Sequence, residues 1–371
     1  MDSVDGDPFG LRAGLKNDSE LMALRQRGRK GRKIERFQRG QNKLIEALLK
    51  PMDKHTSDAQ EVAEASRLGV KIALYSSLGA NLALCVVQLY AAISSGSLSL
   101  LETGIDSVFD IFSSGLLFWL HRKAQRLDVK EWPVGGSRLE TIGNVLFGFL
   151  MTAVNLIVVV ESTRVAITHD KESDVNDFHL EALVAVAAAL GVKFLLFIVC
   201  HFFRKQSSQI EMLWEDHRND LPMNTFGILM SAGGSKLRWW LDPLGAIIIA
   251  TAIILSWTRT LYRQFGLLAG RSAPHDFIQL VIYKALMFHK DFDAIDTVRA
   301  YHSGPNYFVE VDVVMSRDTP LWKAHDVSQQ LQDKLEVLPN VGRAFVHVDH
   351  ETSHHPEHQR VYEKEKRAPS P

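Results

Sequence analysis

Carboxylates interrupt an apolar stretch of the sequence at a spacing that places them on one face of a helix. Asp106 and Asp110 stand four residues apart, and Glu102 lies four residues before them. Residues four apart in a helix are separated by about 6 Å along its axis and share a face. Like charges at this spacing repel one another, so a ladder of three carboxylates favours a bound cation.

A second apolar stretch repeats this arrangement. Asp216 and Asp220 are again four residues apart, and Asn224 lies one turn further on the same face. A single buried aspartate is often a packing or hydrogen-bonding residue, but two pairs at one spacing are poorly explained in that way. If the two faces oppose each other, four carboxylates converge, and the predicted metal ligands are Asp106, Asp110, Asp216 and Asp220.

Further oxygen ligands are available from Asn81, Glu102, Asn224 and Asp242. A helix-packing amide explains Asn81 somewhat better than a ligand does, and Asp242, which precedes Pro243, could equally cap a helix. Oxygen donors of these kinds suit Mn(II), Mg(II) or Ca(II), whereas zinc sites usually include His or Cys. His217 lies about 100° around a helix from Asp216, so we expect it to miss the site, which favours manganese over zinc.

Six apolar segments are long enough to hold these residues in membrane-spanning helices. A bilayer core about 30 Å thick needs about 20 mostly apolar residues as helix, and a charged residue inside it normally faces a partner or an aqueous path. Lys193 lies toward the cytosolic end of the fourth segment, where its ammonium can reach the interface, and we assign it no chemistry. The predicted spans are 70–92, 99–120, 141–160, 182–203, 213–232 and 239–258.

The distribution of basic residues predicts that both chain ends lie in the cytosol, because cytoplasmic links are enriched in Lys and Arg. The arm before the first span and the links after the second and fourth spans are basic, whereas residues 170–177 are rich in carboxylates. Lys236 and Arg238, between the fifth and sixth spans, run mildly against this orientation.

The sequence after Arg271 predicts a small cytosolic α+β domain. Residues 274–289 have an amphipathic helical pattern, and residues 307–313 alternate with the period of a strand. A strand over 297–301, a helix from Thr319-Pro320 and a strand over 341–348 complete the order αββαβ. No convincing metal spacing joins the histidines and acid of this region, which we expect to be solvated or to pack: His302, His325, His347, Asp349 and His350.

The chain therefore divides into four predicted segments. Residues 1–66 form a largely disordered cytosolic arm, 67–265 the six-helix transmembrane domain, 271–350 the cytosolic domain and 351–371 a disordered tail. The arm could bind RNA or anionic lipid, but a tail that fixes membrane orientation explains its charge more simply, and we expect no nucleic-acid partner. Its basic block comprises Arg25, Arg27, Arg29, Lys30, Arg32, Lys33, Arg36 and Arg39.

These motifs together resemble the cation diffusion facilitator family, specifically its manganese-transporting branch. The similarity covers about residues 68–350, and in this family the second and fifth spans each provide two ligands to the transport site. Zinc-type members carry His-xxx-Asp in the fifth span, where Asp216 and Asp220 match the Asp-xxx-Asp pattern of the manganese type. The resemblance rests on residues 97–101 with Asp106 and Asp110, 132–140, 216–224 with Gly227, and 241–246.

The resemblance implies exchange of metal for protons with alternating access and dimerisation through a ferredoxin-like cytosolic domain. Similarity to fungal and plant manganese transporters also suggests a Golgi, endosomal or vacuolar membrane. Metal and protons compete for the same carboxylates, which couples the two fluxes. Many relatives pair a basic residue on a cytosolic link with an acid near Gly270. Arg138 is present here without that acid, so we do not expect this interlock.

Three other functions fit parts of the pattern. The same fold could carry Zn(II), Fe(II) or Co(II), because residues around the ligands also affect selectivity. A membrane-anchored metal sensor would have no need of paired aspartates inside the membrane. A metalloenzyme is disfavoured because no nucleophile with a general base accompanies the carboxylates, and no Gly-rich phosphate loop suggests that transport is driven by ATP. We expect a Mn(II) exporter and antiporter with no catalytic residues and no resident cofactor.

Overall fold

The computed structural model describes residues 7–95, 98–124, 126–128, 130–134, 136–168, 180–233 and 241–352. Contacts divide the chain into two compact units. The first contains the residues up to Gln60 with 272–302 and those from Asn306 onward, and the second contains 61–271 and 303–305. Most of the predicted disordered tail, from residue 353, lies outside the described residues.

Ten α-helices, three β-strands and a 3₁₀-helix over Leu11–Gly14 make up the regular structure of the described residues. In chain order the α-helices and strands are α1 (Asp18–Gln26), α2 (Gly28–Leu49), α3 (Met52–Ser95), α4 (Leu98–Ala124), α5 (Ser137–Thr168), α6 (Leu180–Phe203), α7 (Ser208–Gly233), α8 (Leu241–Leu268), α9 (His275–Leu286), β1 (Phe292–Ser303), β2 (Asn306–Met315), α10 (Leu321–Glu336) and β3 (Val341–Asp349).

The prediction of a largely disordered N-terminal arm is wrong for the described residues, because α1 and α2 occupy most of it. The side chain of Asn17 accepts a hydrogen bond from the amide of Glu20, and the Glu20 carboxylate accepts one from the amide of Asn17. This capping box satisfies two amides that the first helical turn leaves without partners. Composition alone suggested disorder, but these local caps and the packing of α2 order the arm.

Lys284 of α9 anchors the end of α2 within the first unit. Its Nζ donates hydrogen bonds to the main-chain carbonyls of Leu48 at 2.7 Å and Lys50 at 2.5 Å. Carbonyls at a helix C-terminus lack helical donors, so the ammonium satisfies them. Burial lowers the pKa of the Lys284 ammonium below its ordinary value, as expected where a charge leaves water.

A substitution at Gly31 should separate α1 from α2. A Cβ at this position would lie 2.1 Å from the carbonyl oxygen of Leu24 and 2.7 Å from the Cβ of Arg27. We expect Gly31→Val to increase the rate of tryptic cleavage within the arm of the full-length protein several-fold. Gly40→Val is the matched control, since nothing lies within 4 Å of a Cβ there, and equal cleavage of the two variants would contradict the packing of α1 on α2.

The C-terminal domain has the predicted order αββαβ. The sheet order is β1-β2-β3, with β3 parallel to β2 and α10 connecting them. The apolar face of α10 faces the core, and its residues Val327, Leu331 and Leu335 belong to the same buried cluster as Val309 and Val311 of β2. This arrangement confirms the fold class expected for the cytosolic domain.

The second unit contains α4–α8 and the part of α3 that follows Gln60. Among the described residues, three helices are long and apolar enough to cross a membrane, over 52–90, 137–168 and 243–268, and residues 187–203 form a shorter apolar helix. The count of six spans stays a prediction.

Close helix packing fixes the arrangement of this second unit. A Cβ at Gly69 of α3 would overlap the ring of Phe203 in α6, and one at Gly245 of α8 would overlap the ring of Phe226 in α7. Small residues at helix interfaces allow such close approach. The buried Trp257 of α8 packs with other apolar side chains of this core, so the helices that carry the acidic residues are held by apolar contacts on several sides.

Candidate metal site

Asp110 of α4 and Asp220 of α7 share one partner, the side chain of Lys193 in α6. The Lys193 Nζ lies 2.7 Å from Oδ2 of Asp110 and 2.7 Å from Oδ2 of Asp220. Asp110 and Lys193 are 8% and 9% exposed, so little water reaches these charges. Hydrogen bonds between charged partners are short and strong. The structure therefore brings carboxylates of α4 and α7 to one point inside the helix bundle.

Asp216, His217 and Asp220 form a compact group on α7. One ligand atom from each residue lies within 4.8 Å of the others. Asp216 is 2% exposed, and no described residue donates a hydrogen bond to its buried Oδ2. A buried carboxylate oxygen normally has a partner, so Asp216 is chemically available for a cation.

The expectation that His217 misses this group is wrong. The ring is displaced around the helix from Asp216, but it lies three residues before Asp220, and residues three apart are neighbours on a helix surface. Its Nε2 lies 2.8 Å from the hydroxyl of Ser77 in α3. No described residue contacts its buried Nδ1 through a hydrogen bond. His217 is therefore held by α3 at the edge of the acidic group.

The structure describes the side chains of some of the remaining predicted ligands and not of others. Asn81 of α3 donates from Nδ2 to the hydroxyl of Ser114 at 3.1 Å, and its buried Oδ1 has no hydrogen-bond donor among the described residues. Asn224 is half-buried one turn beyond Asp220 on α7. The side chains of three predicted ligands lie outside the described residues, although their backbones belong to α4 and α8: Glu102, Asp106 and Asp242.

Glu215 is a buried carboxylate next to Asp216, yet it belongs to a different network. Arg263 of α8 binds its Oε1 at 2.9 Å, and the hydroxyl of Thr260 donates to its Oε2. Both oxygens therefore have partners from α8. Glu215 is therefore a structural acid, whereas Asp216 has an oxygen, Oδ2, that is free to bind a cation.

Lys193 is the residue that the sequence-based interpretation missed. Its ammonium was expected to reach the cytosolic interface, but about 15 Å of helix separates Lys193 from Phe203, which is farther than a lysine side chain extends. The sequence did contain a signal, because Lys193 is the one Lys, Arg, Asp or Glu between Ala182 and Phe203. A charge inside an apolar span indicates function until a partner explains it.

Two parts of the chain match known protein families. Residues 74–269 match the cation efflux transmembrane domain, and residues 274–351 match the cation efflux protein cytoplasmic domain. The acidic group on α4 and α7 lies in the first of these matches. The second match covers the αββαβ domain and supports homodimerisation.

Plant proteins are similar over most of the chain. Metal tolerance protein 7 of Oryza sativa subsp. japonica is 32% identical over 338 residues, which cover 89% of this chain and 86% of the relative. Metal tolerance protein 10 of Arabidopsis thaliana is 34% identical over 345 residues, which cover 89% of this chain and 78% of the relative. The chain thus belongs to the cation diffusion facilitator family and is a multi-pass membrane transporter for the efflux of divalent metal cations, not an enzyme.

Proposed function

We propose that this protein exports Mn(II) from the cytosol in exchange for protons. The observation that carries the proposal is the convergence of Asp110, Asp216 and Asp220 from two helices around one buried point. Asp106, one turn before Asp110, completes the proposed ligand set. Such carboxylates are costly inside a bilayer, and binding of a cation offsets that cost.

Manganese is the preferred substrate because the donors are mainly hard oxygen atoms. Carboxylate and carbonyl oxygens suit Mn(II), Mg(II) and Ca(II). Asp216 and Asp220 also have the spacing associated with manganese-type relatives. The Oδ1 of Asn81 is a candidate additional oxygen, since it is buried without a donor among the described residues.

Zn(II), Fe(II) or Co(II) is the second candidate, and His217 is the observation that favours it. An imidazole nitrogen within 4.8 Å of two carboxylates provides the kind of donor that these metals prefer. Against this role, one ring nitrogen of His217 is engaged by Ser77. A ligating imidazole would need its other nitrogen, Nδ1, to face the metal.

Exchange for protons follows from the chemistry of carboxylate ligands. A carboxylate must lose its proton to bind a metal ion, so metal entry releases protons and proton entry favours metal release. An acidic Golgi, endosomal or vacuolar compartment would supply those protons. Both chain ends would then lie in the cytosol, and the cytosolic domain would form a homodimer.

Uptake by proteoliposomes tests substrate and mechanism together. We expect the purified full-length protein to accumulate Mn(II) when the vesicle interior is acidic and to lose most of this uptake when a protonophore removes the gradient. Zn(II) should be taken up more slowly under the same conditions. Faster zinc uptake would favour the second candidate, and no uptake of any of these metals by intact dimers would instead support a metal sensor.

A further inference from the structure

Lys193 occupies the position where α4, α6 and α7 present charged groups to one another. Its ammonium bridges Asp110 and Asp220 with two contacts of equal length, 2.7 Å each. The lysine side chain is 11% exposed, and those of Asp110 and Asp220 are 12% and 23% exposed. These contacts are therefore internal salt bridges rather than surface pairs, whose charges water would screen.

The charge balance at this point explains why a lysine is present. Asp110, Asp216 and Asp220 place three carboxylates from two helices close together, and like charges in a poorly solvated site repel strongly. Two other basic side chains, Arg218 of α7 and Arg263 of α8, have different partners. Arg218 donates to the hydroxyl of Ser256, and Arg263 pairs with Glu215. Lys193 is the described basic residue that provides counter-charge to the two bridged aspartates.

A metal ion and the ammonium would bind the same two carboxylates. Direct coordination by Asp110 and Asp220 would place a divalent cation about 2.0–2.6 Å from their carboxylate oxygens, the range that Mg(II) and Ca(II) span in proteins. Nζ of Lys193 already contacts Oδ2 of both residues. Two cations bound to the same carboxylates would repel each other, so we expect metal binding to weaken the two salt bridges.

We propose that Lys193 is a tethered cation that competes with the transported metal for Asp110 and Asp220 and thereby sets how tightly the site holds that metal. This role depends on the proposed function, because it requires both aspartates to bind the substrate. The lysine stem is flexible, so the ammonium can leave and return without movement of α6. Its return as the metal departs would assist release, which a transporter needs as much as binding.

Substitution of Lys193 separates this role from a structural one. In Lys193→Met the competing charge is lost and the site becomes more negative. We expect the dissociation constant for Mn(II), measured by titration of the purified full-length protein, to fall at least tenfold, or about 1.4 kcal/mol. In proteoliposomes the apparent KM and the maximal rate should both fall, because metal binds more tightly and leaves more slowly.

Lys193→Arg should change affinity in the opposite direction. A guanidinium holds carboxylates through several hydrogen bonds in a fixed geometry, so it competes more strongly than an ammonium. We expect weaker Mn(II) binding than in the wild-type protein. The predicted order of affinity, Met above Lys above Arg, does not follow from a structural role, in which Arg would preserve binding and Met would weaken it.

Lys71→Met is the matched control, since Lys71 is an exposed lysine on α3, and it should bind and transport like the wild-type protein. Size-exclusion chromatography establishes which variants form intact dimers, and Lys193→Gln replaces Lys193→Met if the latter does not. If Lys193→Met or Lys193→Gln forms intact dimers and binds Mn(II) no more tightly than the wild-type protein, Lys193 does not compete with the metal. Unchanged binding in Lys193→Arg would contradict the proposal as well.

Comparing aspartate variants with Lys193 variants shows whether the proposed role of Lys193 or the proposed metal site is wrong. If Mn(II) binding is unchanged in Asp110→Ala and Asp220→Ala, the metal site lies elsewhere and the ligand set on which the proposed function rests is wrong. If those variants lose binding while Lys193→Met and Lys193→Arg bind like the wild-type protein, the site is right and Lys193 is not a competitor. Titration with Zn(II) in parallel shows whether the effect depends on which metal is transported.

Discussion

Replacing Asp110 or Asp220 with asparagine is expected to reduce Mn(II) uptake about a hundredfold or more. Asparagine keeps the size of the side chain but removes the negative charge that binds the metal. Even residues that only orient metal ligands change affinity or activity by about 10–100-fold, so loss of a ligand should lie at or beyond that limit. Each substitution also removes one of the two acidic partners of Lys193.

Initial rates of Mn(II) uptake into acid-loaded proteoliposomes measure this effect. Glu161→Gln is the matched control, because Glu161 is an exposed carboxylate on α5 whose partner is Arg164, and surface pairs contribute little. We expect this control to transport at the wild-type rate. If Asp110→Asn or Asp220→Asn retains half of the wild-type rate with intact dimers, that residue does not bind the transported metal.

Asp216→His is expected to shift preference from Mn(II) toward Zn(II), with at least a tenfold change in the ratio of their uptake rates, or about 1.4 kcal/mol. The change replaces a hard oxygen donor with an imidazole nitrogen, which suits zinc better than manganese. Asp216 is the residue at which this exchange is most direct, because its Oδ2 is buried and receives no hydrogen bond from a described residue.

Competition between ⁵⁴Mn and zinc in the same vesicles measures the ratio directly. Asp216→Glu serves as the control, since it retains an oxygen donor and should preserve the preference for manganese even if uptake becomes slower. An unchanged ratio in Asp216→His would mean that selectivity is decided by other residues. His217 is the first to consider, given its position within 4.8 Å of the carboxylates.

The placement of acidic residues on one helix face and the class of fold could be predicted from the amino-acid sequence. A spacing of four placed Asp216 and Asp220 on one face of α7, because that spacing is a property of the helix and does not depend on the rest of the chain. The alternation in β2 and the apolar stripe of α10 likewise predicted the αββαβ order. Such periodicities are local, so they can be read before any tertiary contact is known.

The N-terminal arm shows where local reasoning was insufficient. Its charge suggested disorder, yet α2 is anchored by Lys284, which lies 236 residues after Leu48. A segment with few apolar residues can fold when a distant partner satisfies its polar groups. Composition does not contain that information, since it describes the segment and not the surface on which the segment packs.

The charges that meet inside the helix bundle depend on tertiary packing and could not be predicted locally. Lys193 is separated in sequence by 83 residues from Asp110 and by 27 from Asp220, and His217 meets Ser77 across 140 residues. A helical pattern fixes which face of a helix carries a residue, but not which neighbouring helix that face meets. The packing of the helices against one another decides those neighbours, and in this protein it places Lys193 beside two aspartates.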